Sequence, residues 1–425
     1  MNIKKCNAAS LFILFAVSLL LFLFLSPFWL KTVTDSAYGK SIPAKNKNHD
    51  AGNAVVNANN QFAFDLYFKL KDKEDNIFFS PWSISSALVM TYEGARGKTA
   101  QEMQSVLHFP KDDGIRRASF KEINDRINKK DKKYKLSTAN ALWAQQAYPF
   151  LPEYKNLIQQ YYGGKITNLD FIKDAEKSRK IINTWVEQQT NNKIKDLIPP
   201  DILGPLTRLV ITNAIYFKGN WLTQFNKKNT KKADFKIEPA RTVKVQMMSL
   251  TRKKFNYAEA DKLQILELPY NGEELSMLVL LPKENNLKFA ENYLNQEKLN
   301  ELKNSLAEQQ VDVYIPKFKL ETKYMMKSTL KEMGMPTAFS SFADFSGMDG
   351  TQKLKIDAVI HKAFVDVNEE GTEAAAATAV IITEKAVQRP SKKIIFRADH
   401  PFIFIIQETK TGNILFMGRV VNPSK

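Results

Sequence analysis

Cysteine is all but missing: Cys6 is the only one in 425 residues. It precedes a long apolar run, whereas the cysteine of a bacterial lipoprotein would follow one. The bulk of the chain therefore has no disulfide and no thiol nucleophile, and packing alone must stabilise it. Histidine is nearly as scarce, with four: His49, His108, His361 and His400. None has the H-E-x-x-H spacing that seats zinc on one helix face, and no cysteine cluster exists to hold a metal. Walker loops, G-x-G-x-x-G turns and the G-x-S-x-G nucleophile elbow are also absent. No metal or cofactor is expected, and nothing points to a Ser/His/Asp triad. His361 lies inside the apolar run 358–365, where an imidazole is far more often a hydrogen-bonded core group than a base.

What is present begins with a leader. Lys4 and Lys5 precede an apolar stretch from Leu11 to Leu30, broken only by Ser18, Ser26 and Pro27. Read to Leu25 it is a secretory signal peptide, with Ala37-Tyr38-Gly39 offering a cleavage site; read to Leu30 it is long enough to anchor the chain in a bilayer. Both readings stay open, and in both the lysines keep the N-terminus inside, so the remainder is exported, either secreted, periplasmic or membrane-anchored. Residues 1–39 form this leader, residues 40–58 a polar linker rich in Asn and Lys, and residues 59–425 a single domain. The net charge is +17, of which the leader carries little. Such an excess favours acidic surfaces, polyanions or anionic lipid, or is simply a solvated basic surface.

Apolar periodicity over 57–71 (Phe62, Phe64, Leu66, Tyr67, Leu70) predicts a helix. Asn76 to Pro81 is a short strand stopped by proline, followed by a helix over 83–93 that Gly94 to Gly97 ends, with Thr99 capping the next. Residues 139–143 and 209–218 are buried strands and 181–190 a helix. Strands dominate 243–282, 311–320 and 403–421. Helices crowd the first half and strands the second, so the class is α+β.

One segment fits no ordinary core element. After Glu369, Glu370 and the permissive Gly371 come Thr372, Glu373 and four alanines, Ala374, Ala375, Ala376 and Ala377. Thr378 to Thr383 then favours strand, and Pro390 follows. The alanines suit a helix by propensity. As a strand, Thr372, Ala374, Ala376 and Thr378 share one face, small enough to slide beneath helices that cover a sheet without overpacking.

Residues 369–378 closely resemble the hinge of inhibitory serpins, and the likeness extends over about 57–423. Asn76 to Ile84 resembles the family's N-x-x-x-S-P-x-S-I stretch, and Gly94 to Thr99 its G-A-x-G-x-T turn. Leu209 to Trp221 is similar to the strand that leads to a tryptophan in that family. Phe318 and Lys319 match a P-K-F segment, and Ala398 to Phe402 with Phe416 to Pro423 match the C-terminal signature. The resemblance implies about nine helices around three β-sheets and an exposed reactive loop over about 369–390. It implies a protein that is no enzyme: a monomeric suicide inhibitor that forms a covalent complex with a serine protease and inserts its cut loop into the main sheet.

The family's usual spacing, counted from Glu369, places the scissile bond between Lys385 and Ala386, and lysine suits a trypsin-like protease. Arg389 is the rival, although Pro390 after it resists cleavage, and the stretch 387–393 is longer than usual. Ser80, Ser83, Asn213 and His361 align with a polar cluster beneath the centre of the sheet, and Trp221 with the point where the loop first enters. Either set is also compatible with static core groups. Lys129, Lys130, Lys132, Lys133 and Lys135 match the place where some serpins bind heparin; they suit sulfated polysaccharide or another polyanion, or merely complement a helix dipole. A serpin-like carrier or chaperone without inhibition is the alternative function; the small residues at 372, 374 and 376 favour inhibition. An exported hydrolase is a third reading.

Overall fold

The computed structural model describes residues 47–72, 75–129, 131–372 and 393–425. Among these it holds ten α-helices, two short 3-10 turns and two hydrogen-bonded sheets. The helix Lys47–Leu70 begins inside the stretch read as linker. That stretch is poor in helix formers, and tertiary contacts override the propensity. Val55, Val56 and Ala58 are buried. Asn59 Nδ2 donates to Asn413 Oδ1 and to the Ile414 carbonyl, each at 2.9 Å, while Asn60 Oδ1 accepts from the Ile414 N–H. Asn59 and Asn60, just after the stretch read as linker, thus stitch the helix to the C-terminal hairpin.

The larger sheet has nine strands, including the three mutually paired strands Leu275–Pro282, Phe402–Glu408 and Ile414–Val420. Its longest strand, Arg241–Ala260, is irregular between Leu250 and Lys253; its first half pairs with Lys231–Glu238 and its end with Leu263–Pro269. This break divides the sheet into two parts, which with the smaller sheet make up the three expected sheets. Phe78 stacks on Phe404 and Phe416 with centroids 5.8 and 5.3 Å apart, which locks the first short strand onto the C-terminal hairpin.

The smaller sheet runs Phe318–Met325, Ile356–Val367, Gly371–Thr372, Leu209–Asn220, Tyr134–Gln145, Lys165–Leu169. The helix Pro81–Gly94 packs on it and is almost wholly buried. Ser80 caps this helix by accepting from the Ser83 N–H, and Pro81 supplies a preset φ at its first position. At the far end, buried Glu93 accepts from Arg116, Arg117 and Tyr162, which pins the helix Asp113–Ile127 to it. Burial alone would destabilise that carboxylate; two guanidinium groups and a phenol satisfy it.

Candidate functional site

Two strands of the smaller sheet, Ile356–Val367 and Leu209–Asn220, run parallel, and their pairing forms a seam. Register sets a single row across this seam: Tyr324 opposite His361, His361 opposite Asn213, Asn213 opposite Asn140. Registered neighbours share a face of a pleated sheet, so all four side chains point the same way. The row lies under the first turn of the helix Pro81–Gly94.

The bonding within the row follows from donor and acceptor counts. His361 Nε2 accepts from the Ser80 N–H at 3.1 Å, so its proton sits on Nδ1, which donates to Asn213 Oδ1. The imidazole is therefore neutral, and its complete burial pushes its pKa down to about 3. Asn213 Nδ2 shares its two hydrogens among the Ser83 carbonyl at 2.8 Å, Ser83 Oγ at 2.6 Å and Asn140 Oδ1. Ser80 Oγ donates to the Leu415 carbonyl at 2.6 Å. The helix turn straddles the seam: Ser80 holds the His361 side and Ser83 the Asn213 side. Across the seam, the side chains are joined only by the His361–Asn213 bond among the contacts of this cluster. A polar row of this kind exchanges partners without exposing apolar surface.

At its upper end the seam is already parted. Gly371–Thr372 lies between the two strands, antiparallel to both, with Thr372 opposite Val367 on one side and Gly219 on the other. Position 371 demands glycine, because a Cβ there would stand 2.1 Å from the Gly219 carbonyl oxygen. Thr372 is wholly buried, its Oγ1 2.8 Å from the Tyr270 hydroxyl. Trp221 stacks on Tyr270 at 4.6 Å, and its indole N–H donates to the Asn368 carbonyl at 3.0 Å. The backbone before the glycine is clamped too: the Trp221 and Phe225 N–H groups donate to the Glu370 and Glu369 carbonyls at 2.9 and 2.8 Å. Burial would raise the Glu369 carboxyl, but Lys317 at 2.8 Å and the Thr230 hydroxyl at 2.8 Å hold it below the usual range. Glu370 pairs with Lys227 at 2.6 Å.

Ser80, Ser83, Asn213 and His361 thus meet in one network, while Trp221 belongs to a second one around Glu369, Gly371 and Thr372. Ala374, Ala375, Ala376, Ala377, Thr378, Lys385, Ala386 and Arg389 lie outside the described residues. Of the lysine cluster, Lys129 and Lys133 are exposed, Lys132 pairs with Glu274, Lys135 donates to Asn191 at 3.0 Å, and Lys130 lies outside the described residues. Members of these networks that had escaped sequence reading include Asn140, Tyr270 and Tyr324, with Thr230 and Lys317 on Glu369. Asn140 carried a signal, a lone amide inside the apolar strand around Trp143; the two tyrosines carried none.

A model of the family described as serpin, serine protease inhibitor, matches residues 57–423. An uncharacterized serpin-like protein of Thermococcus kodakarensis is 46% identical over 370 residues, covering 87% of this chain and 86% of its own length. The leukocyte elastase inhibitor of Bos taurus is 44% identical over 377 residues, covering 86% and 98%. Among solved structures, uncleaved ovalbumin superposes with a TM-score of 0.80 at 35% identity, covering 87% of this chain and all of its own. The family has both inhibitory and non-inhibitory members. A parallel seam parted at its top by a glycine-led strand, over a chain matched almost from end to end of the described fold, leaves one assignment: the protein belongs to the serpin family.

Proposed function

We propose that the chain is a suicide inhibitor of a trypsin-like serine protease. The observation that carries this reading is the strand Gly371–Thr372, lodged at the top of the seam with the rest of the loop still to follow. The protease's serine hydroxyl adds to the Lys385 carbonyl carbon; the Lys385–Ala386 amide breaks, the Ala386 amine leaves with a proton, and an ester joins the two proteins. Residues 373–385 then extend the inserted strand and carry the protease along, before water hydrolyses the ester.

Register supports the downhill direction. The inserted strand is antiparallel to both neighbours, so it replaces one parallel ladder by two antiparallel ones, which are more stable per residue. Continuing from Thr372 in steps of two puts Ala374 opposite Phe217 and Ala376 opposite Ile215, positions where small side chains fit beneath the covering helix. The same count puts Thr378 opposite both His361 and Asn213. Its hydroxyl, donor and acceptor at once, is suited to rejoin the two groups that insertion separates.

The reading includes export through the leader, a monomeric native state, and polyanion binding by the exposed lysines near 129–133. The deciding experiment mixes the protein with trypsin and with chymotrypsin and resolves the products by denaturing electrophoresis. A denaturant-stable complex with trypsin, releasing a fragment that begins at Ala386, is expected. Thr372→Arg is expected to leave loop cleavage intact and abolish the complex, because the guanidinium would be buried without a partner. Cleavage without complex in the unsubstituted protein would overturn the proposal in favour of a non-inhibitory carrier.

A further inference from the structure

The two ends of the loop leave the fold amid cations. On one side the 3-10 turn Lys227–Asn229 and the strand Lys231–Glu238 present Lys228, Lys231 and Lys232; on the other the irregularity in Arg241–Ala260 presents Arg252 and Lys253. All five are exposed, and none pairs with a carboxylate among the described residues. The two groups adjoin. Ser249 Oγ donates to the Asn229 carbonyl at 3.1 Å, tying the turn to the strand just before the irregularity. Arg252 sits in the left-handed region at φ 52°, and its N–H donates to Asp312 at 2.8 Å. Asp312 also holds Lys393, the first described residue after the loop, at 3.0 Å.

The three anions nearest the loop ends are turned inward, while Asp234, exposed on the strand Lys231–Glu238, is paired with Lys244 at 2.8 Å. Glu369, Glu370 and Asp312 are buried and each is matched by its own lysine, Lys317, Lys227 or Lys393. Lys228, Lys231, Lys232, Arg252 and Lys253 are left without carboxylate partners among the described residues, close to the last described residue before the loop and the first after it.

We infer that this cationic rim is a secondary docking surface for the target protease, and that the target carries an acidic face beside its substrate cleft. The inference rests on the inhibitory reading, since only a protease seated on the loop would meet both halves of the rim. Five unpaired cations raise the rate of encounter with an acidic partner and leave the covalent chemistry unchanged. The effect is screened beyond about 8 Å at physiological ionic strength, so it acts on association and is read there.

The test uses anionic and cationic isoforms of trypsin, which share a specificity pocket and differ in surface charge. With the full chain at low ionic strength, the anionic isoform is expected to be trapped at least about tenfold faster. That advantage should vanish in high salt and in the triple variant Lys228→Glu, Lys231→Glu, Lys232→Glu, with the trapped fraction unaltered; the triple glutamine variant should lie between. Equal rates for the two isoforms, or an advantage that survives the triple reversal, would overturn the inference. So would equal rates accompanied by heparin binding that the triple variant loses, which would make the rim a polysaccharide site. If neither isoform is trapped, it is the inhibitory reading that fails. The rim is then tested by equilibrium binding of anionic trypsin lacking its nucleophilic serine: tighter binding to the full chain than to the triple variant upholds it, and equal binding overturns it.

Discussion

The two sheets solve opposite problems. In the larger one, Ile403, Phe404, Ile405 and Ile406 face Leu278, Val279 and Leu280 and the strand Ile414–Val420 across antiparallel ladders, and the whole block is buried. Its cohesion is apolar area and close packing, which no exchange of partners can replace. The smaller sheet keeps a parallel seam and threads a row of side-chain hydrogen bonds beneath it. Hydrogen bonds contribute little net energy while made, yet each group needs a partner wherever it goes. The comparison teaches where a protein can afford to move: the region that holds is dry, and the region that would part on the proposed reading is polar.

Three substitutions or conditions would break or sharpen that contrast. Phe404→Ala removes a ring that Phe78 and Phe318 pack against, and is expected to lower native stability by about 3–5 kcal/mol. Denaturant unfolding measures this, and the trapped fraction of the molecules that remain folded should not change. Thr378→Val should leave the stability of the uncut protein unchanged and lower that of the cleaved, inserted form by about 1–3 kcal/mol, the value of two buried groups losing a partner. An equal loss in both forms would place residue 378 elsewhere than between His361 and Asn213.

The last effect is a slope spread over several pH units. The pKa of His361 falls from about 6.5 in the unfolded chain to about 3 in the fold, so between these values the unfolded state binds the extra proton. The contribution to stability is then complete above about pH 6.5 and shrinks as pH falls toward 3, by about 1.4 kcal/mol per pH unit. Unfolding at pH 7.5, 6 and 5 should show this decline, and His361→Gln should remove it. A slope that persists in the variant would assign it to other groups.

Much of this architecture was legible in the sequence for definite reasons. Glycine at 371 with a small residue at 372 suits passage through a tight place, where the fold puts them, and the apolar runs around 209–218 and 403–421 mark buried strands. The start of the first helix was not legible, because residues 47–56 carry asparagine, aspartate and glycine without an apolar period and read as linker. Nor was the company of Thr372: Tyr270 is 102 residues away in sequence, and only the fold brings their hydroxyls together. Asn140 lay between these cases, visible as an anomaly in an apolar strand, with its partners set by register alone.

The strand Gly371–Thr372 has one more consequence, which concerns time. On the proposed inhibitory reading, trapping would be a race between two clocks, water attacking the ester and the loop closing its ladder. A free loop would first have to find the top of the sheet, and that search carries the entropy of closure. Here the search is over before the protease arrives. Gly371 and Thr372 are in register, and the next pair forms beside one already made. On that reading cleavage would release a process with no lag, its outcome set by the speed at which neighbouring rungs form.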